Sequence, residues 1–311
     1  MFESIWADVK SQFRSGNMVT RIILVNLAFF VGILLLKLVL SLAVDHSFPS
    51  TSYTNYVAPY LELSSSFFKT ITRPWVLFTH MFMHYGLFHF VFNMLFLYWF
   101  GRIVGDMIGD RKILPIYLLS GLASAFLLIF VAALNTSFDI GTSAIGASGA
   151  VFGITIAAAA TAPDYYMRLI FLGDVRLKYI ALAAIILQLT ALVANSNAGG
   201  TFGHIGGLIM GYIFIVQLRK GNDLSVPVNR VLDRIKNFFT KDERRKPTVA
   251  YRNPKLKKQQ RQAKKNVKGN NVSDLSHEQT LDAILEKIKS KGMESLSEEE
   301  KEFLLNASKE R

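Results

Sequence analysis

The sequence predicts an all-α, polytopic membrane protein: a six-helix transmembrane bundle followed by a cytoplasmic tail that ends in a small helical hairpin. Three observations lead there. Residues 1–218 hold 12 Lys/Arg and 9 Asp/Glu, whereas residues 219–311 hold 23 and 14, so the net charge of +12 divides into +3 and +9. A soluble domain carries about 25% charged residues; the front part falls far below that, and the back part is too polar to bury a large core. Six apolar segments, at roughly 21–44, 84–104, 112–134, 145–162, 178–195 and 200–218, approach the ~20 residues that a bilayer-crossing helix needs. The loops between them alternate in basic content. The chain has no cysteine, which excludes a disulfide scaffold, a Cys-ligated metal and thiol catalysis.

Four regions follow: a cytoplasmic N-terminal segment (1–20), the six-helix domain (21–218), a basic juxtamembrane helix and linker (219–272), and a C-terminal hairpin (273–311). The first apolar run is too long for a signal-peptide core and lacks a small-residue cleavage site, so it is expected to remain as an anchor. Lys37 lies 16 residues past Arg21, about 24 Å along a helix, near the far interface where it can snorkel.

Basic residues mark the N-terminus (Lys10, Arg14, Arg21), the second loop (Arg102, Arg111, Lys112), the fourth loop (Arg168, Arg176, Lys178) and the tail. NTSFDIGTS and NSNAGGT, the third and fifth loops, have no Lys or Arg. By the positive-inside rule both termini are cytoplasmic, in an integral multi-pass protein expected in a bacterial cell membrane. The first external loop carries Tyr53, Tyr56, Tyr60, Phe67, Phe68 and Trp75 with its edge, aromatics that suit the headgroup zone.

Polar side chains inside spans are costly and so are functional candidates. Span two begins with His80, His84, His89 and Asn93, span four with Ser148, and span six with His204. All three spans run from outside to inside, which puts these groups at one depth just below the outer surface. His89 and Asn93, four apart, share a helix face, as do Ser148 and Phe152. Gly149-x3-Gly153 on span four and Gly203-x3-Gly207-x3-Gly211 on span six are small-residue rows that let two helices approach closely. A hydrogen bond between Ser148 and His204 needs that approach. With no carboxylate inside the spans, the chemistry these residues allow is a Ser–His dyad. Ser148 is then the nucleophile and His204 the base, Phe152 stacks on the imidazole, and Asn93, His89 and the Ser148 amide are donors for an oxyanion.

GASGAVFG (146–153), GHIGGLIMG (203–211) and His84-x4-His89-x3-Asn93 resemble the rhomboid intramembrane serine proteases in order, spacing and placement at span starts. The resemblance covers about residues 21–218. It implies an outward-opening, water-filled cavity and endopeptidase cleavage of transmembrane protein substrates near the outer face. Ser148 and His204 correspond to its catalytic dyad, and His89 and Asn93 to its oxyanion side. His84, Phe152, Gly149 and Gly207 are expected as substrate or structural support. Many members carry Trp-Arg in the first loop; here Trp75 is followed by Val76, with Arg73 two residues earlier.

No metal or organic cofactor is expected: histidines four apart have ligand spacing, but no HExxH helix and no nearby acid accompany them. The rival class is a multi-pass transporter or binding protein with a polar His/Asn/Ser site, which predicts a midplane site and internal repeats. These residues are shallow and the chain shows no repeat.

In the tail, residues 225–240 place Val231, Leu232, Ile235, Phe238 and Phe239 at helical spacing, as in a helix lying on a membrane surface. Residues 252–268 hold eight Lys/Arg and no acid, a run that suits anionic lipid; no nucleic-acid motif accompanies it. Capping boxes at Ser276/Gln279 and Ser297/Glu300 open the two hairpin helices, the first with Leu281, Ile284, Leu285 and Ile288 on one face, the second with Phe303, Leu304 and Leu305.

Overall fold

The computed structural model describes residues 2–45, 53, 56–134, 137–138, 140–141, 143–169, 172–195, 197–239 and 277–309. The chain divides into two compact units, Met1–Lys241 and Asp242–Arg311. The first contains the spans and the helix that follows them.

An amphipathic helix α1 (Phe2–Ser15) leads into α2 (Met18–Leu40), whose apolar path continues through one π-helical turn, Ser41–Asp45. Asn17 caps α2 by accepting from the Thr20 amide at 2.9 Å. The Met18 amide donates to both carboxylate oxygens of Asp110, at 2.8 and 3.0 Å, which places a negative charge at the helix N-terminus. Next come α3 (Ala58–Leu61), β1 (Leu63–Ser64), α4 (Phe67–Thr72) and α5 (Val76–Thr79), the last running into a 3-10 turn at His80–Phe82. The bundle continues with α6 (Leu87–Ile108), a 3-10 turn (Asp110–Lys112), α7 (Ile113–Ala133), β2 (Ser143–Ala144) and α8 (Ser148–Thr161). The hairpin β3 (Tyr166–Leu169) and β4 (Gly173–Arg176) precedes α9 (Leu177–Val193), α10 (Ala198–Arg219) and α11 (Ser225–Phe239).

The fold is helical, as expected, and among the described residues it has two short antiparallel ladders that periodicity could not reveal. Leu63 pairs with Ala144 and Ser64 with Ser143, while Tyr166–Leu169 pairs with Gly173–Arg176. Among the described residues, four stretches are long and apolar enough to cross a membrane: Met18–Ala43, Leu87–Ile108, Asp110–Ala133 and Ala198–Arg219. The other two expected spans are shorter than the hydropathy pattern suggests, at 14 residues for α8 and 17 for α9. Residues 145–147 stay outside α8, whose length of about 21 Å is well short of the ~30 Å hydrocarbon core. A helix that short, with one end at an interface, has its other end inside the bundle.

α8 is the central helix, packed by α6, α7, α9 and α10, and every residue from Gly153 to Ala159 is buried. Its contact with α10 is made backbone to backbone. A Cβ on Gly207 would fall on the carbonyl of Gly149, and one on Gly211 on the carbonyl of Gly153. Without a hydrophobic drive between helices in lipid, such close van der Waals contact is what holds them together. On the other flank of α8, Gly149 and Gly153 lie against the Ser124 and Ser120 side chains of α7.

The first loop is gripped by a row of side chains. Arg73, Trp75 and Thr79 donate in turn to the carbonyls of Pro59, Tyr60 and Leu61, Trp75 at 2.8 Å and Thr79 at 2.8 Å. These are the C-terminal carbonyls of α3, which have no partner within the helix. Arg73 also covers the Tyr60 ring at 4.5 Å. Val76, in place of the arginine common in this loop, is buried, and Arg73 does the anchoring from three residues earlier. The Lys37 ammonium lies over the Tyr53 ring at 4.3 Å. Tyr53 in turn donates to buried Glu62 at 3.0 Å, and Ser143 donates to the same carboxylate at 2.6 Å.

In the second unit α12 (His277–Lys291) and α13 (Glu298–Lys309) form the expected pair of helices. The second capping box is present: the Ser297 amide donates to Glu300 at 2.7 Å, and the Glu300 amide to Ser297 Oγ at 3.3 Å. Ser276, and hence the first box, lies outside the described residues, as does the basic run 252–268. Lys287 bridges the helices to Glu300 at 2.6 Å. Ile284 and Leu296 are buried, but Leu285 and Leu305, expected on the apolar faces, are exposed.

Candidate active site

Ser148 is the first residue of α8, where the leading N–H groups of a helix lack acceptors within it. The turn that delivers it depends on Gly146, at φ 134°, whose added Cβ would meet His89 Cε1 at 2.9 Å and lie 3.2 Å from both His89 Nε2 and Ser148 Oγ. The Gly146 amide donates to the His80 carbonyl at 3.0 Å, tying this turn to the entry of α6.

His204 enters from α10. Its Nε2 lies 2.7 Å from Ser148 Oγ, and its Nδ1 lies 2.8 Å from Gln188 Oε1 on α9. An amide oxygen only accepts, so the proton sits on Nδ1 and Nε2 keeps a lone pair for the serine hydroxyl. Phe152, one turn below Ser148, packs against the imidazole in a tilted arrangement, with ring centroids 4.6 Å apart and planes at 35°. A cavity of about 370 Å³ opens on this pair, walled by Ser148, His204, His89, Tyr85, Asn197 and Gly200. The third and fifth loops both reach it, through Ser143 and through Asn197, Gly199 and Gly200.

His89 faces the same cavity. Its ring stacks on Tyr85 at 6.0 Å, and its Nδ1 accepts a long hydrogen bond, 3.5 Å, from the Tyr85 amide. That arrangement leaves Nε2–H as the donor beside Ser148. Asn93 is buried and does not line the cavity. Its amide donates at 2.8 Å to the carbonyl of His89, one turn back, and so braces the backbone that carries that imidazole. His84 also stands back from the cavity, packed edge-on against Phe90 at 5.3 Å and His89 at 5.3 Å. Neither of its ring nitrogens has a partner among the described residues. His80 Nδ1 donates to the Val76 carbonyl at 2.8 Å, a contact with its own segment. Gly149 lines the cavity and Gly207 packs against it, so both serve the α8–α10 approach. Among the described residues, no three His, Asp or Glu side chains converge as a metal site.

The sequence reading overlooked Gln188. Its signal was available: a strongly polar amide within LKYIALAAIILQLTALV, five residues from the end of α9 and therefore level with His204, six residues into α10. It also overlooked Tyr85 and Asn197, the latter a left-handed residue (φ 52°) that caps α10 by accepting from Gly200 at 3.3 Å.

Comparison with known proteins agrees with this architecture. The Rhomboid domain family matches residues 72–221, and residues 271–310 match DUF6576, a family of unknown function. The mitochondrial presenilin-associated rhomboid-like protein of Bos taurus is 30% identical over 155 residues, which is 47% of this chain and 38% of that protein. RHOMBOID-like protein 1 of Arabidopsis thaliana is 27% identical over 147 residues, 47% of this chain and 36% of its own. Rhomboid protease GluP of Bacillus subtilis is 36% identical over 144 residues, 46% of this chain and 26% of that protein. The chain thus spans well under half the length of these relatives. Its matched segment takes in α6 to α10 and the cavity-lining residues from His80 to His204, and over that segment this multi-pass helical membrane protein is similar to the rhomboid family.

Proposed function

We propose that the protein is an intramembrane serine endopeptidase that cleaves transmembrane protein substrates, with Ser148 as nucleophile and His204 as base. The observation that carries this reading is the 2.7 Å contact between Ser148 Oγ and His204 Nε2, both of which line the cavity at the start of α8.

Ser148 Oγ attacks the peptide carbonyl carbon as its proton passes to Nε2. The oxyanion that forms meets the Ser148 N–H and His89 Nε2–H, donors set in place before the reaction begins. The imidazolium then gives its proton to the leaving amine. Water deacylates the serine by the same route in reverse, with His204 again the base. Asn93 acts through His89 rather than on the substrate. A substrate helix must unwind locally to react, because its peptide carbonyls are engaged in their own hydrogen bonds.

The distribution of Lys and Arg supports an orientation with the cavity toward the exterior and both termini inside, which puts cleavage near the outer end of a substrate span. In that orientation the basic run 252–268 meets anionic lipid at the inner leaflet. The test is cleavage of a model transmembrane substrate by the purified full chain in lipid vesicles. Wild type is expected to cut, and Ser148→Ala and His204→Ala are expected to abolish cutting. Cleavage that survives both substitutions rejects the dyad.

A further inference from the structure

We propose that Gln188 is the positioning residue for the base: its side-chain oxygen holds His204 in the Nδ1–H tautomer, so the machinery is a Ser148–His204–Gln188 chain drawn from three helices. This rests on the protease reading above and specifies how its histidine is held.

Four observations point there. The 2.8 Å contact joins an obligate acceptor to the ring nitrogen that does not face the serine. Gln188 and His204 stand at the same depth on adjoining helices. The remaining surroundings of Gln188 are apolar: it borders a cleft of about 550 Å³ between α9 and α10, walled by Ile185, Leu189, Ile205 and Leu208 among others. An amide in such surroundings keeps a hydrogen bond once it has one, because leaving it unmade is costly. Finally, the buried residues of α9 are Leu177 and Ala181, both near its far end, so packing alone does little to fix the end that carries Gln188.

Phe152 cannot do this work alone. A ring packed against an imidazole limits its motion but does not select which nitrogen carries the proton. A carboxylate would select the tautomer and stabilise the imidazolium as well, at the cost of a charge in a low-dielectric site. A neutral amide gives orientation without that cost. The Nδ1 proton stays on His204 throughout, while the transferred proton moves from Ser148 Oγ to Nε2 and on to the leaving amine.

The test compares wild type, Gln188→Leu and Gln188→Glu as full chains in lipid vesicles. It reads kcat and KM for a transmembrane substrate, the pH profile, and the rate at which a small fluorophosphonate labels Ser148. Gln188→Leu is expected to lower kcat and the labelling rate roughly 10- to 100-fold, the range for losing a residue that orients a functional histidine, with KM within about twofold. Gln188→Glu is expected to recover most of the labelling rate. It should also move the acidic limb of the profile to higher pH, because a carboxylate favours the imidazolium and only neutral His204 can act as base. His80, Tyr85 and His89 are the other titratable groups lining the same cavity and are common to all three proteins. Labelling of Gln188→Leu at the wild-type rate overturns the proposal. So does a loss that Gln188→Glu neither recovers nor shifts in pH, since that is the signature of damaged packing. A wild type that neither cleaves nor reacts rejects the protease reading itself, which is a distinguishable failure.

Discussion

Ser148 and His204 are 56 residues apart in the chain and 2.7 Å apart in space, and what lets them meet is the absence of side chains between their helices. The carbonyls of Gly149 and Gly153 occupy the positions that Cβ atoms would take on Gly207 and Gly211.

Gly207→Val is therefore expected to force α8 and α10 apart. Overpacking a filled contact costs about 1–3 kcal/mol, and backbone cannot rotate away as a side chain can. The variant should show a lower thermal midpoint in detergent and no cleavage. Gly32→Ala on α2, where an added Cβ meets nothing within 4 Å, is the control and should match wild type in both measurements. A stable, active Gly207→Val would mean that the close approach is not required.

Substituting His89 probes the oxyanion side without touching nucleophile or base. His89→Ala is expected to lower kcat about 10²- to 10³-fold with KM little changed, as for loss of a donor that acts on the transition state. Asn93→Ala should cost less, because Asn93 braces His89 through its carbonyl instead of lining the cavity. Equal losses from the two substitutions would contradict that order.

Glu62 joins the first loop to the strand just before the Ser148 turn, accepting from Tyr53 at 3.0 Å and Ser143 at 2.6 Å. Glu62→Leu strands two hydroxyls in a buried site, at about 1–3 kcal/mol for each group left unpaired. It should lower the thermal midpoint and expose the loop to protease. Glu62→Gln keeps acceptor capacity and should lie between wild type and Glu62→Leu. Identical stability in all three would remove the tie from the account.

In the C-terminal hairpin, the Lys287 ammonium beside Glu300, helped by the Ser297 amide, holds the Glu300 carboxyl below the usual glutamate range. A folded-state pKa that is depressed contributes stability above the unfolded value, near 4.3, and that contribution is lost as pH falls through the folded value. Glu300→Gln keeps an acceptor for the capping box but loses the ion pair. The first turn of α13 should thus exchange its amides faster in Glu300→Gln than in wild type at neutral pH, and equally fast once Glu300 is protonated. A difference that persists in strong acid would exclude the ion pair as its source.

The sequence by itself determined what is local. Apolar run lengths and the charge split set the helical membrane class. Polar residues at the starts of three spans, with glycine rows beside them, singled out Ser148, His89 and His204 as groups at one depth. The capping box at Ser297 and Glu300 was equally legible, because each of those signals resides in a few consecutive residues. Only the tertiary structure decided the rest: that α8 begins late and ends short, that Leu63–Ser64 pairs with Ser143–Ala144 across 78 intervening positions, and that Arg73, Trp75 and Thr79 grip three successive carbonyls. It also turned the Asn93 amide toward its own helix and Gln188 toward His204. Those outcomes depend on how far one helix is rotated and slid against another, and a hydrogen bond tolerates only a few tenths of an ångström of error in that placement. Periodicity names the face a residue occupies, but the partner across the gap belongs to another helix.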